Sequence, residues 1–347
     1  MRTTAARLVT LALLLAACSP SDSADTTTTS APTTSSSSTS TSTTSTTSTT
    51  IGESVESLVN GLEVENANLL DRRVLAVKID NHPNARPQSG IDQADMVIEM
   101  LVEGITRFIT IWHESDSDYL GPNRSGRPTD AEVLPAFNEP TFTISGAQGW
   151  VQNMITGNGV NLIKELSEGT FRISGRRAPH NLYVDTNVLR ETADAREYPD
   201  LPPEGPIWEF GPMPADATPA SSVTIGFSGN PVVWDWDETE GLWLRTASGR
   251  EGMVRDQEGV ETRIGVPVMV ALYVEQYSNN GLPSSHTIGS GEAYVFADGK
   301  YVQGTWEREE MTEWFTLTDA DGNVIAVPPG QVWVSLVPSG SGLTVTE

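Results

Sequence analysis

The chain is 347 residues long, and its 46 aspartates and glutamates far outnumber its 21 lysines and arginines, giving a formal charge of −25 at pH 7. A surface this acidic repels DNA, RNA and anionic lipid head groups, so nucleic acid is excluded as a partner. The single cysteine rules out an internal disulfide, so the folded part must rest on hydrophobic cores, and the length suffices for two of ordinary size.

In chain order, Arg2 and Arg7 precede a short apolar run, Leu8 to Leu15, that is too short to span a bilayer. Small residues, Ala16 and Ala17, then lead to Cys18, which marks residues 1–17 as a secretory signal peptide. The Leu-Ala-Ala-Cys stretch resembles the lipobox of bacterial lipoproteins, which implies cleavage before Cys18 and lipidation of its thiol. Several acyl chains on one residue give stable anchoring where a single chain would not. The expected location is therefore the extracytoplasmic face of the cell membrane, with the membrane as a partner through the lipid alone. Residues 19–50 are almost entirely Ser and Thr and have too little apolar surface to offset chain entropy. Residues 18–61 are expected to be a disordered tether, whose Ser/Thr stretch 19–50 has a coil dimension of about 30 Å and an extended reach of about 100 Å.

Order is expected from Leu62. Val74–Ile79 and Arg107–Trp112 have the character of buried strands. Thr129-Asp130-Ala131-Glu132 has the pattern of a capping box opening a short helix through Phe137. Trp150–Ile155 and Val160–Leu166 are expected to be helical, and His180–Asp185 extended. Residues 62–210 thus predict an α/β N-terminal domain. Seven prolines between Pro199 and Pro219 mark a crossing, with residues 211–221 as the linker. Beyond it, β-branched residues at period two predict a mostly β C-terminal domain over 222–347, with hairpin turns at Ala297–Lys300 and Asp319–Asn323.

Three polar stretches carry chemistry. Asp80, Asn81, His82 and Arg86 follow directly on a buried strand, where α/β sheets commonly place ligand loops, although Asp, Asn and Pro also build plain turns. Glu99, Glu103 and Arg107 are spaced by four and share a face in either a helix or a strand. A helix would set the two carboxylates about 6 Å apart as an acid/base pair, and a strand roughly 13 Å apart. The strict alternation of Met96, Ile98, Met100 and Val102 favours the strand, hence an ion-paired hairpin around Gly104. Arg124 and Arg127 flank Ser125 ahead of the expected helix, which makes an anion site or, alternatively, partners for internal carboxylates such as Glu99 or Glu103. No zincin, thioredoxin-type, nucleophile-elbow or phosphate-loop motif occurs. The four histidines do not cluster, and although Asp80, His82 and His180 could assemble a metal site for a hydrolase, the last-ranked reading, they lack any ligand spacing, so neither a metal nor a cofactor is expected.

The stretch Ala76–Gly90 (AVKIDNHPNARPQSG) resembles the opening of the YerB-like lipoprotein family. So do Ala94-Asp95, Glu103–Phe108, Gly121–Ser125 and Ala178–Tyr183, the last of which brings in His180 and Asn181. Gly289–Ala293, Gly299-Lys300 and Gly304–Trp306 resemble its C-terminal domain. The sequence departs from the family's pattern at Gly104, where a double glycine is usual, and at Asn123, where an aliphatic residue is usual. The resemblance implies two domains of unassigned function and an anchored lipoprotein. Taken with the motifs, the expectation is a lipoprotein that binds a cell-wall polymer or a wall-synthesis protein. The alternative is an enzyme acting on phosphorylated wall polymers, with Arg107, Arg124 and Arg127 holding phosphate and Asp80 as base.

Overall fold

The computed structural model describes residues 55–347. The expected signal peptide, Cys18 and most of the expected tether lie outside the described residues. Its centre is an eleven-stranded sheet. The N-terminal region supplies β1 (Leu75–Ile79), β2 (Met96–Val102), β3 (Ile105–Trp112), β4 (Thr141–Ile144) and β5 (Asn161–Lys164). A second, six-stranded sheet contains β6 (Ser222–Phe227), β7 (Asn230–Asp237) and β8 (Leu242–Ala247). The chain then returns to the large sheet with β9 (Val268–Val274), β10 (Gly289–Ala297), β11 (Lys300–Arg308) and β12 (Val332–Pro338). Read across, the large sheet runs β11-β10-β9-β12-β2-β3-β1-β4-β5, with Thr218–Pro219 beyond β11.

The two regions therefore share one sheet. They join where β12 pairs in parallel with β2, Val332 against Met96 through Leu336 against Met100. Both faces of the large sheet are covered, which explains why β2 is buried along its whole length. Alternation sorts its residues. Met96, Ile98, Met100 and Val102 face a core shared with the helices α1 (Pro128–Val133) and α2 (Gly149–Gly157), represented by Val133 and Ile155. Val97 and Leu101 face the opposite core, against Val223, Trp234 and Trp243 of the small sheet. Glu99 falls on that second face by period two. The N-terminal region is thus a sheet with a few helices, α3 (Thr186–Ala195) being the third, and the C-terminal region is mostly β.

Most expected strands are present, as is the β10–β11 hairpin, whose turn residues Asp298 and Gly299 both have positive φ. Four expectations change. Within Val160–Leu166 the chain forms a strand, β5, rather than a helix: Asn161–Lys164 pairs in parallel with β4 and buries Leu162 and Ile163 in opposite cores. A run this short carries no decisive periodicity. The helix at 128 opens one residue before Thr129, with Pro128 in its first turn and the Asp130 carboxylate accepting the Arg127 N–H at 2.7 Å. The Thr129 hydroxyl instead accepts the Ser285 N–H from the C-terminal region. Residues 211–221 are not a free linker, since Gly211 N–H bonds Val327 O and Thr218–Pro219 pairs with β11.

The expected tether boundary at residue 61 also moves. Val55–Glu56 pairs with Glu63–Val64, Val59 is fully buried, and Asn60 accepts the Gly330 N–H. Burying a valine stabilises by about 1.5–3 kcal/mol, and each kcal/mol moves a melting point by roughly 2–4 °C at this size. A chain beginning at Leu62 is therefore expected to melt several degrees below one beginning at Gly52. Equal midpoints in differential scanning calorimetry would show that residues 52–61 do not stabilise the body.

Candidate functional site

The loop after β1 is built by its own side chains. Asp80 is buried, and its Oδ1 accepts the His82 N–H at 3.0 Å while its N–H bonds Pro122 O. Its other oxygen, Oδ2, receives His180 Nδ1 at 2.8 Å and lies 3.2 Å from Arg124 Nε, an ion contact whose alignment is not that of a hydrogen bond. His82 stacks on His180, with ring centroids 4.8 Å apart and planes 14° from parallel. The loops at 80, 121 and 178 therefore converge, and they bring Asp80, His82, Arg124 and His180 into one cluster.

Behind this cluster runs a buried hydrogen-bond chain. Asn81 Nδ2 donates to Thr106 Oγ1 at 2.7 Å, and Thr106 Oγ1 donates to Glu99 Oε1 at 2.6 Å. Asn81 Oδ1 accepts from Arg86 Nε and Gln88 Nε2. Glu99 Oε1 also accepts from Arg245 Nη2 at 2.6 Å, and Oε2 accepts the Trp333 indole N–H at 3.0 Å. The Arg245 guanidinium sits over the rings of Phe108, Trp234 and Trp333 at 5.2–5.8 Å, where cation–π attraction replaces some of the lost hydration. Arg86, Asn81 and Glu99 are thus positioned together, but Asn81 and Glu99 are buried away from solvent and hold the loop rather than face a ligand.

The remaining arginines divide. Arg127 Nη2 grips both Glu103 oxygens at 2.7 Å and its Nη1 bonds Gly126 O. Arg107 is buried, bonds Ser125 O at 3.0 Å and lies 3.6 Å from Glu103. Burial, then the neighbouring charge of Arg127, pushes the Arg107 guanidinium down to about 10. The Glu103 carboxyl lies below its ordinary value: burial alone would raise it, and the Arg127 hydrogen bonds and the charges of Arg127, Arg107 and Arg124 outweigh that. Of the three arginines expected to hold an anion, Arg107 and Arg127 have internal partners, and Arg124 has Nη1 and Nη2 without a hydrogen-bond partner among the described residues. Glu103 is the carboxylate that pairs the arginine loop, whereas Glu99 pairs with Arg245. Asp80, proposed above as a base, is saturated and orients His180 instead. Asn181 is drawn away, its Oδ1 accepting from Arg172 and its Nδ2 donating to Ile173 O. No group of three or more metal-capable side chains occurs among the described residues.

Two matched regions bear on these loops. The description "Protein of unknown function (DUF3048) N-terminal domain" matches residues 59–199, and its C-terminal domain matches residues 223–334. The chain belongs to the YerB-like family. A curated relative in Bacillus subtilis (strain 168), described as "Putative lipoprotein YerB", is 24% identical over 312 residues, covering 85% of this chain and 90% of its own. The crystal structure of YerB protein from Bacillus subtilis superposes with a TM-score of 0.73 at 22% identity, over 84% of this chain and 99% of that one. The first residue matched to the YerB-like family, Val59, is also the first buried hydrophobic side chain described here, in agreement with the earlier start of the fold. The departure at Asn123 has a structural reason: its amide donates to Lys78 O and Thr143 O, stitching β1 to β4 beneath the arginine loop.

Lys78, Asp130, Thr106, Gln88 and Arg245 were not singled out from the sequence. Lys78 and Asp130 form a fully buried pair at 2.5 Å beneath Arg107 and Arg127. Burial, partly offset by Asp130, pushes the Lys78 ammonium down to about 8. Its contribution to stability is complete above its unfolded value of 10.5 and is lost as pH falls through 8, so stability rises across that window. Lys78→Met is expected to cost about 3–5 kcal/mol by leaving Asp130 unpaired, and Lys78→Met with Asp130→Asn markedly less. The double variant should also flatten the rise in stability between pH 8 and 10.5. Urea titrations at several pH values test both, and equal losses in the single and double variants would contradict the pairing.

Proposed function

We propose that the protein is held at the extracytoplasmic face of the cell membrane by a lipid on Cys18 and binds an anionic cell-wall component at the Asp80–His82–Arg124–His180 cluster. The observation that carries the reading is Arg124. It is the arginine of its loop left with unpartnered Nη groups among the described residues, it is partly exposed, and it stands beside two stacked imidazoles. Asp80 fixes both Arg124 and His180, so the donors are held in place before a ligand arrives. The anchor is supported by the lone cysteine after Leu15-Ala16-Ala17 and by the name of the Bacillus relative.

An enzymatic reading has one observation of its own. The Asp80–His180 contact at 2.8 Å orients an imidazole as a carboxylate orients a catalytic base, which would suit hydrolysis of a wall phosphodiester beside Arg124. Chain cleavage with new phosphomonoester ends that disappears in His180→Asn would favour it over binding alone.

Binding is tested by thermal shift with inorganic phosphate and with purified phosphorylated wall polymer. At a hundredfold excess over Kd a ligand adds about 2.7 kcal/mol to stability. The expected result is a rise in Tm that Arg124→Gln abolishes, beyond the loss from its contact with Asp80, while Arg127→Gln lowers Tm but keeps the response. An anion response that survives Arg124→Gln would overturn the site.

A further inference from the structure

A separate concavity of about 420 Å³ opens where the Asp80–Pro87 loop faces the small sheet. That size lies within the range of ligand sites, roughly 300–1,000 Å³. Its lining is partly apolar, with Pro231, Val232 and Met253. It also carries Arg86 from the loop and Arg250 from the small sheet, with Arg245 behind them.

The charge on this lining is out of keeping with a chain of net −25. Arg86 spends its Nε on Asn81, and its two Nη groups have no partner among the described residues. Burial holds the Arg86 guanidinium below its ordinary value, and the charges of Arg245 and Arg250 add to this, against the opposing pull of Glu99. Arg245 is 2% exposed, and although its Nη2 binds Glu99, its Nε is a buried donor without a partner. The Arg245 charge lies behind the cleft surface, and the donors open to an entering acceptor are the Nη groups of Arg86 and the exposed Arg250 guanidinium. The carboxylate on the rim, Glu251, is 75% exposed and neutralised by Arg263 at 3.2 Å.

We propose that this cleft binds a small amphiphilic anion, its apolar body against Val232 and Met253 and its single phosphate or carboxylate between Arg86 and Arg250. The ligand is a diffusible molecule rather than a bilayer lipid, because a chain of net −25 is repelled from an anionic membrane. The site is distinct from the Arg124 cluster and stands or falls independently of it.

Calorimetric titration of the folded body with hexyl phosphate, hexanoate, inorganic phosphate and hexanol tests the proposal, with vesicles containing phosphatidylglycerol as a further arm. Hexyl phosphate and hexanoate are expected to bind at least tenfold more tightly than inorganic phosphate or hexanol, and the vesicles not at all. Arg250→Gln, at an exposed position with no side-chain partner among the described residues, should weaken hexyl phosphate about tenfold and leave Tm unchanged. Arg86→Gln should weaken it as well, and Arg124→Gln should not. Hexyl phosphate binding no better than inorganic phosphate, unaffected by Arg250→Gln, or lost in Arg124→Gln would each overturn the proposal, as would vesicle binding that Arg250→Gln removes.

Discussion

The ion pair between Glu99 and Arg245, sealed inside three aromatic rings, is the contact on which the rest of the molecule depends. Removing each charge from water costs several kcal/mol, and the pair is tolerable only if every strong donor and acceptor around the carboxylate is met. Glu99 comes from the N-terminal strand β2, Arg245 from the small sheet, and Trp333 from the C-terminal strand β12. Only one placement of the small sheet over the large one brings these three together. Hydrophobic burial of Trp234, Trp243 and Phe296 supplies the adhesion between the sheets, and the pair selects the register.

The same pair reaches the surface loops through hydrogen bonds. Thr106 passes it to Asn81, and Asn81 fixes Arg86 and Gln88. Asp80, one residue earlier, then holds His180 and Arg124. A loop rich in Asn, Pro and His would sample many conformations on its own, and here it is tied to the core by the hydrogen bonds of Asn81 and Thr106. The Arg124 cluster and the cleft beside Arg86 thus share one support while presenting different faces of the same loop.

The sequence made the strands legible where period two was strict. Met96, Ile98, Met100 and Val102 indicated a strand and a hairpin at Gly104, and the hairpin is present. It did not reveal β5, because the strand is only Asn161–Lys164 and its two apolar residues, Leu162 and Ile163, are adjacent, which leaves no alternation to read. Arg245 was partly visible. It sits between Trp243 and Ala247 on the inward face of β8, but Leu242 and Leu244 on the outward face hide which side is the core. The partner of Arg245 could not have been read at all, since it lies 146 residues away across the join of the two regions. Likewise, residues 80, 124 and 180 were suggestive singly, but only the fold brings their loops to one carboxylate, and only the fold removes Arg107, Arg127 and Asn181 by giving them internal partners.

A double-mutant cycle on Glu99→Gln and Arg245→Met, followed by urea unfolding, tests the role of the buried pair most directly. Each single change should cost about 3–5 kcal/mol by stranding a charge or an open acceptor in the core, and the double variant should cost clearly less than the sum. Single losses below about 1 kcal/mol, or two losses that simply add, would show that the pair is not what fixes the two regions against each other.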